Sequence, residues 1–495
     1  MTHAPDQAAT LTALSRLRPD LVDPYLDASA PARAAVLARL WSALAREPIP
    51  GVAGPRRHGE RLTVTLDDGR ILTGPATAAE AFRTVKALTL TFDGEAFEHP
   101  ARLVEAMRLP GAGARLVTEL DNSVANLALA HAAHTPAPLR DLVDFEQSIV
   151  DGHPLHPCCR TRIGLSTEDV LRYAPEYHPV VDLHVLEVDP AHWHTSGAPK
   201  RPLLPVHPRQ LDRVLASGVA RDTGTTIAAR PLMSLRTLAP VDEPSLHLKT
   251  AIDVQMTSAV RTLAPATVHN GPLASALLAG LAKRTPGLRI LCEPSGASIV
   301  LDGEEQRSMA VVWREAPVGY AQVLPLAVLA ARPQTMSDEF FDALVELMLP
   351  PLLTMLHFGV ALEAHGQNTL VAVADGRPVE LLYRDVGGIL VSPRRLARAG
   401  VEMPPLRGSV PTDDPDALRT KLFAAAIATV LNSVISRPQQ WDRIAATAEK
   451  VFDDLPEDRG AFFADTLPLK ATTAMRLAQD PLEDLWARIP NPMRR

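Results

Sequence analysis

The stretch EAHGQNTLVAVADGRPVELLYRDVGG, Glu363 to Gly388, constrains the fold more than any other part of the chain. Its runs TLVAVA and VELLYR flank Asp375-Gly376, a turn dipeptide whose glycine tolerates positive φ, so the spacing predicts a β-hairpin. A hairpin brings its two ends together. Asn368 before the first strand and Asp385 after the second are then expected to face one another, with Glu363 and His365 close by. Asp, Asn and Glu oxygens are hard ligands that suit Mg²⁺, which takes a few of them and completes its shell with phosphate and water.

The fold that carries this hairpin is large. The chain has 495 residues, 46% of them hydrophobic, enough to bury a core divided among roughly two to four lobes. Its net charge of -7 gives no electrostatic reason to bind nucleic acid, and clusters such as Arg394, Arg395 and Arg398 are short. The longest apolar region, Leu344 to Leu362, is interrupted by Glu346, Pro350, Pro351 and His357, so no membrane partner is expected. The opening MTHAPDQAATLTALSRLRPD lacks a basic start followed by an apolar run, which points to the cytoplasm. Cys158, Cys159 and Cys292 are too few and too oddly placed for a disulfide framework and are expected to stay reduced.

The pattern along the chain predicts an α+β protein in three parts. In residues 1–150, ARAAVLARLWSALA reads as an amphipathic helix, RLTVTLDDGRILTG as a hairpin turning on Asp68-Gly69, and the region from 98 onward as helices. Residues 151–335 are strand-rich, with VVDLHVLEV, IAARPLMSLRT and ASIVLDG separated by turns. Residues 336–495 are mainly helical around the hairpin: Ser337 can cap a helix whose first turn holds Asp338 and Glu339. The last hundred or so residues read as packed helices that buttress the site without chemistry of their own.

Three further segments carry chemistry-bearing residues. In GHPLHPCCRTRIG, His153 and His156 each precede a proline and are biased toward extended backbone, with Arg160 and Arg162 following, so the loop suits a phosphate or carboxylate. A zinc reading with the cysteines lacks a second ligand pair at suitable spacing, and a rigid surface loop is the plain alternative. In RPLMSLRTLAP, Ser234, Arg236 and Thr237 supply two hydroxyls and a guanidinium, donors that suit a polyphosphate, although S-x-R-T alone also describes an exposed turn. In HLKTAIDVQMTSAVRTL, helical spacing sets Thr257 and Arg261 on one face, with Lys249 upstream. The surrounding Ile252, Val254, Met256, Val260 and Leu263 imply burial, where unpaired cations are costly and an anionic ligand accounts for them better than a solvated face does.

Taken in order, GHPLHPCCRTRIG, LLPVHPRQ, SLRT, LKTAIDVQMTSAVRTL, EAHGQN and RDVGG resemble the nonribosomal-peptide-synthetase-independent siderophore synthetases, the IucA/IucC (aerobactin synthetase) family, over about 150 to 390. The resemblance implies a cupped hand of thumb, fingers and palm, and an ATP-dependent ligase that adenylates a carboxylate of citrate or a related acid and passes the acyl group to an amine or alcohol. It implies that Ser234, Arg236, Thr237, Lys249, Arg261, His153, His156 and Arg160 hold ATP, and that Thr257, His365 and Arg261 meet the substrate carboxylate. His365, Arg261 and Lys249 would be catalytic, and Glu363, Asn368 and Asp385 would bind Mg²⁺. Members of the family often form homodimers. Arg160 stands where the family usually has Lys, Arg209 where Trp is common, and the chain is short for the family.

The residues themselves support such chemistry. Bringing a carboxylate to an α-phosphorus unites two anions, which Arg236, Lys249, Arg261 and Mg²⁺ would neutralise, and His365 suits proton transfer or oxyanion support. A small-molecule kinase is the rival reading, because an Asn, a hairpin and then Asp-x-Gly also describe a two-metal kinase site. HGQN, however, lacks the Asp that such kinases place shortly before the Asn, and no Gly-rich loop follows an early strand. A polycarboxylate-binding protein that does not consume ATP is the third reading.

Overall fold

The structure, a computed structural model, describes residues 4–83 and 85–494. Its centre is an eight-stranded antiparallel sheet in the order Trp193–Gly197, Ser295–Leu301, Glu304–Glu315, Leu246–Thr250, Thr237–Pro240, Ala220–Pro231, Val181–Val188 and Leu203–Val206. Successive side chains of a strand point to opposite faces. Leu248, Leu238, Val311 and Trp313 accordingly share one apolar core with Val181, Leu183 and Leu186. The alternate positions are left to the other face, and there the register sets Thr237 opposite Lys249 and His247 opposite Arg314.

A second, four-stranded sheet is built on the expected hairpin. Thr369–Ala374 pairs antiparallel with Arg377–Tyr383, turning through Asp375 and Gly376 at φ 49° and 73°. Positive φ at both central residues is what a tight hairpin turn requires. Gln322–Pro325 flanks the first strand, and Leu288–Ile290 adds parallel to the second. Its inner face packs on the helix Asp338–Phe358, whose Ser337 caps the N-terminus by accepting from Phe340 N at 3.2 Å.

Pro350 and Pro351 do not interrupt this helix, contrary to the sequence expectation. Leu344, Val345, Met348, Leu349, Leu352, Leu353, Met355 and Leu356 are all buried in the largest core, and that burial outweighs the hydrogen bonds the prolines remove. Asp338–Phe358 and Pro415–Val434 are both long and apolar enough to cross a bilayer, yet more than half of the most apolar stretch of each is buried inside the protein.

The N-terminal helices Val22–Leu44, Pro100–Met107 and Gly113–Ala133 enclose a separate core with the five-stranded meander Arg56–Phe97. Ala471, Ala474, Leu477 and Ala487 join that same core, so the end of the chain packs on its beginning. The last hundred residues are therefore not helices alone. Thr466–Lys470 and Trp486–Pro490 form a hairpin that encloses the short helix Thr472–Leu477.

A second departure concerns the segment read as helical around Thr257 and Arg261. Gln255–Met256 and Ala259–Val260 form a small hairpin whose first strand also pairs with Arg162–Ile163. The chain becomes helical only from Pro265 to Ala282, led by a proline at its first turn. The β-branched and polar residues of QMTSAV fit this extended pairing, and the four-residue spacing of Thr257 and Arg261 also suits a tight turn.

Candidate active site

Lys249 and Arg314 project from adjacent strands of the large sheet and meet Asp385 at the open end of the hairpin. Asp385 adopts a left-handed φ of 69°. Its Oδ1 accepts from Lys249 Nζ at 2.7 Å, and its Oδ2 lies 3.3 Å from Arg314 Nη2. Burial alone would raise this carboxyl, but Lys249 and then Arg314 outweigh it and hold Asp385 well below the usual range. Arg314 in turn donates to Glu293 Oε1 from Nε at 3.0 Å and Nη2 at 2.6 Å. Glu293 is fully buried, 4.0 Å from Lys249 Nζ. Neither Arg314 nor Glu293 was singled out from the sequence; the one available signal, for Arg314, was charge at the end of an apolar run, AVVWRE.

The S-x-R-T segment forms the turn that leads into the strand beside Lys249. Ser234 Oγ accepts from Thr237 N at 3.2 Å, Leu235 takes a φ of 64°, and the Arg236 carbonyl accepts both the N–H and the hydroxyl of Thr250. Arg236 itself donates to the carbonyl of Thr262 at 2.6 Å. Burial draws its guanidinium down to about 10, and the nearby Arg261 adds to that shift. So large a displacement for arginine reflects cations crowded away from water.

On the hairpin side, Arg384 N donates to Asn368 O at 3.0 Å, which sets Asn368 one residue out of register with Asp385. Asn368 Nδ2 lies 3.5 Å from the Glu363 carbonyl, and Lys421 Nζ lies 3.5 Å from Glu363 Oε1. A Cβ at Gly388 would meet Glu363 Oε2, so a larger residue there would displace that carboxylate. Among the described residues the His365 ring has no hydrogen-bond partner. Burial lowers its pKa, opposed by Glu363 and Asp385 and assisted by Lys470 and Arg384, so it is neutral at neutral pH.

Among the described residues no three His, Cys, Asp or Glu side chains form a ready metal cluster. Two carboxylates and an amide oxygen around one hairpin end are nevertheless a donor set that fits Mg²⁺, provided phosphate and water complete the shell. Asp385 would then exchange Lys249 for the ion.

Thr257 and Arg261 come together through the small hairpin. Arg261 Nη2 donates to Thr257 Oγ1 and to Met256 O, both at 2.9 Å, and Thr257 sits at a φ of 54°. Burial lowers Arg261, while Asp385 and Glu363 act against that shift, which places it on the same cleft as the hairpin carboxylates.

The histidine loop lies alongside, but its rings are partly committed. His153 Nδ1 accepts from the N–H groups of Leu155 and His156 at 3.2 and 3.1 Å. His156 Nδ1 accepts from Cys158 N, so its proton resides on Nε2, which donates to Ser258 Oγ at 2.6 Å. Burial brings His153 down to about 3 and His156 well below its ordinary value. Arg160 is directed elsewhere. Its guanidinium is spent on Glu176 and on the carbonyls of Ile149 and Val150. Burial would raise Glu176, but Arg160 and Arg162 bring it to about 2.

The end of the chain brings charge to the site, contrary to its reading as inert support. Lys470 acts on His153, His156 and His365, Lys421 reaches Glu363, and Arg476 donates to the Ser258 carbonyl at 2.7 Å. No local pattern in LPLKATTAMRL marks these residues.

The fold that carries this cleft recurs in solved synthetases. The petrobactin biosynthesis protein AsbB from Bacillus anthracis superposes with a TM-score of 0.78 at 18% identity, covering 98% of this chain and 97% of its own. ATP-bound aerobactin synthetase IucA from Klebsiella pneumoniae superposes with a TM-score of 0.75 at 18% identity, covering 93% and 99%. The fold is therefore the α+β fold of the aerobactin-type synthetases.

Residues 141–331 match the IucA / IucC family, and residues 338–482 match the ferric iron reductase FhuF-like transporter family. Staphyloferrin A synthase of Staphylococcus aureus is 25% identical over 430 residues, 72% of this chain and 73% of its own. The L-2,3-diaminopropanoate–citrate ligase of the same organism is 25% identical over 463 residues, 77% and 79%. Over residues 141–331 the chain is similar to the IucA / IucC family, and over 72% and 77% of its length to a staphyloferrin A synthase and a citrate ligase.

Proposed function

We propose that the chain adenylates a carboxylate of citrate or a related polycarboxylic acid and condenses it with an amine or alcohol, a step in making a siderophore-type metallophore. The observation that carries this reading is the surplus of buried positive charge. Arg236, Lys249, Arg261 and Arg314 converge near Asp385, Glu293 and Glu363, and of the four only Lys249 and Arg314 are paired with these carboxylates. Buried cations in excess of their partners are costly, and an anionic ligand removes the excess.

In this reading Ser234, Arg236, Thr237 and Lys249 hold the triphosphate, with His153 beside them, while Thr257 and Arg261 orient the acid. Glu363, Asn368 and Asp385 would hold Mg²⁺, which when bound supplies charge neutralisation at the phosphates. A carboxylate oxygen attacks the α-phosphorus and pyrophosphate leaves. The acceptor nitrogen or oxygen then attacks the acyl carbon, AMP leaves with one of the original carboxylate oxygens, and neutral His365 takes the acceptor's proton. Residues 1–150 would form the thumb, 151–335 the fingers and 336–495 the palm, and the reaction is placed in the cytoplasm.

A pyrophosphate-release screen across carboxylic acids, followed by a panel of amines and alcohols with the best acid, tests the proposal. Release that depends on citrate or a similar acid is expected. Accumulation of ADP, or no nucleotide consumption with any acid, would overturn it.

A further inference from the structure

The turn Thr257–Ser258 is fastened from within its own hairpin and from three distant parts of the chain. Thr257 is β-branched and holds a φ of 54°, a conformation such residues avoid unless their surroundings impose it. From within the hairpin, Arg261 binds Thr257 Oγ1 and Met256 O. From the histidine loop, His156 Nε2 donates to Ser258 Oγ. From the C-terminal helix Thr472–Leu477, Arg476 Nη1 donates to Ser258 O at 2.7 Å. From the N-terminal helix Gly113–Ala133, Glu119 accepts from Arg476 through both carboxylate oxygens, Nε to Oε2 at 2.7 Å. Gln255 Nε2 links the two ends of this arrangement, donating to Glu119 Oε1 at 2.9 Å and to Thr257 O at 3.3 Å.

Glu119 is fully buried and Arg476 2% exposed, so water cannot replace either partner. The guanidinium has a planar fork, and here it is used completely: two nitrogens on the carboxylate, the third on the turn. A lysine carries the same charge but cannot make both contacts.

We propose that Arg476, locked to Glu119, is a positioning residue that sets the Thr257–Arg261 turn and thereby the enzyme's affinity for its carboxylic acid. The proposal rests on the reading of Thr257 and Arg261 as the acid-binding pair. Arg476 touches no reacting atom; it acts through the backbone of Ser258. The chain's last helix and its N-terminal lobe are in this way joined to acid recognition, although neither contributes a side chain to the acid.

Steady-state kinetics of Arg476→Lys test this, with acid and ATP varied separately and folding followed by thermal melting. KM for the acid should rise by about tenfold, with KM for ATP within about twofold of the unmodified protein and a single cooperative melt retained. Gln255→Ala, at a half-buried position, should raise the acid KM in the same direction by a smaller factor, and it decides the question should Arg476→Lys fail to fold. Unchanged acid KM in a folded Arg476→Lys protein, or equal rises in both KM values, would overturn the positioning role. Full activity of Arg261→Ala would instead overturn the underlying assignment of the acid site.

Discussion

Two hairpins feed this cleft, and they are made in opposite ways. The hairpin Thr369–Tyr383 defines itself: its alternating apolar strands, its Asp375-Gly376 turn and its packing on Asp338–Phe358 fix its register before anything binds. The hairpin around Thr257 has two residues per strand, a strained threonine at its turn, and fasteners that come from Glu119, His156 and Arg476. In the proposed function, metal and triphosphate would bind at the first, and the acid at Thr257 and Arg261 on the second. One half of the cleft is preformed by local sequence, whereas the other exists only once the whole chain has assembled.

The strongest way to break the self-made half is Asp385→Ala, which removes the partner of Lys249 and Arg314 together. Acid-dependent pyrophosphate release should fall on the order of 10³-fold, and retained Mg²⁺-dependent turnover would remove Asp385 from the site. The assembled half should be as sensitive in stability. Glu176→Gln strips the shared carboxylate from buried Arg160 and Arg162, beside the loop that carries His156, and should cost about 3 kcal/mol, read as a lower urea midpoint. Arg261→Ala should lower kcat/KM for the acid by about 10²-fold while the melt stays close to that of the unmodified protein.

Acid separates the halves by another route. His153 titrates at about 3 in the folded protein against about 6.5 unfolded. Its neutral form is the one folding favours, so the stability it contributes is present above about 6.5 and is lost as pH falls toward 3, by up to roughly 1.4 kcal/mol per pH unit. His156 adds to this in the same direction. Protonation at Nδ1 would also release the loop N–H groups that these rings accept, so the acid KM should hold through mild acidification and rise only as pH falls toward 3, while the central hairpin's hydrogen-exchange protection persists. The smallest effect belongs to Gly376→Ala, at an exposed turn with φ 73°: about 1 kcal/mol of stability and kinetics near those of the unmodified protein.

What could be read from the sequence follows the same division. The Asp375-Gly376 hairpin, the cap at Ser337, the strands around S-x-R-T and the α+β class are all set by neighbours a few residues apart, and each is found in the structure. The helix expected at Thr257 to Arg261 is a hairpin because its short strand pairs with Arg162–Ile163, almost a hundred positions away. Arg314 and Glu293 became visible only when strand order placed them against Asp385. Arg476 looked like any basic residue near a helix end until the termini packed together. Spacing reports local geometry; it carries no information about which distant strand or helix will be adjacent.

The central claim is that an acid and ATP meet in this cleft to form a mixed anhydride, and isotope transfer tests it most directly. With the acid's carboxylates labelled with ¹⁸O, complete turnover with Mg²⁺, ATP and the acceptor should yield AMP carrying one labelled oxygen on its phosphate, equimolar with the condensed product. Unlabelled AMP, or ADP in its place, would contradict the account.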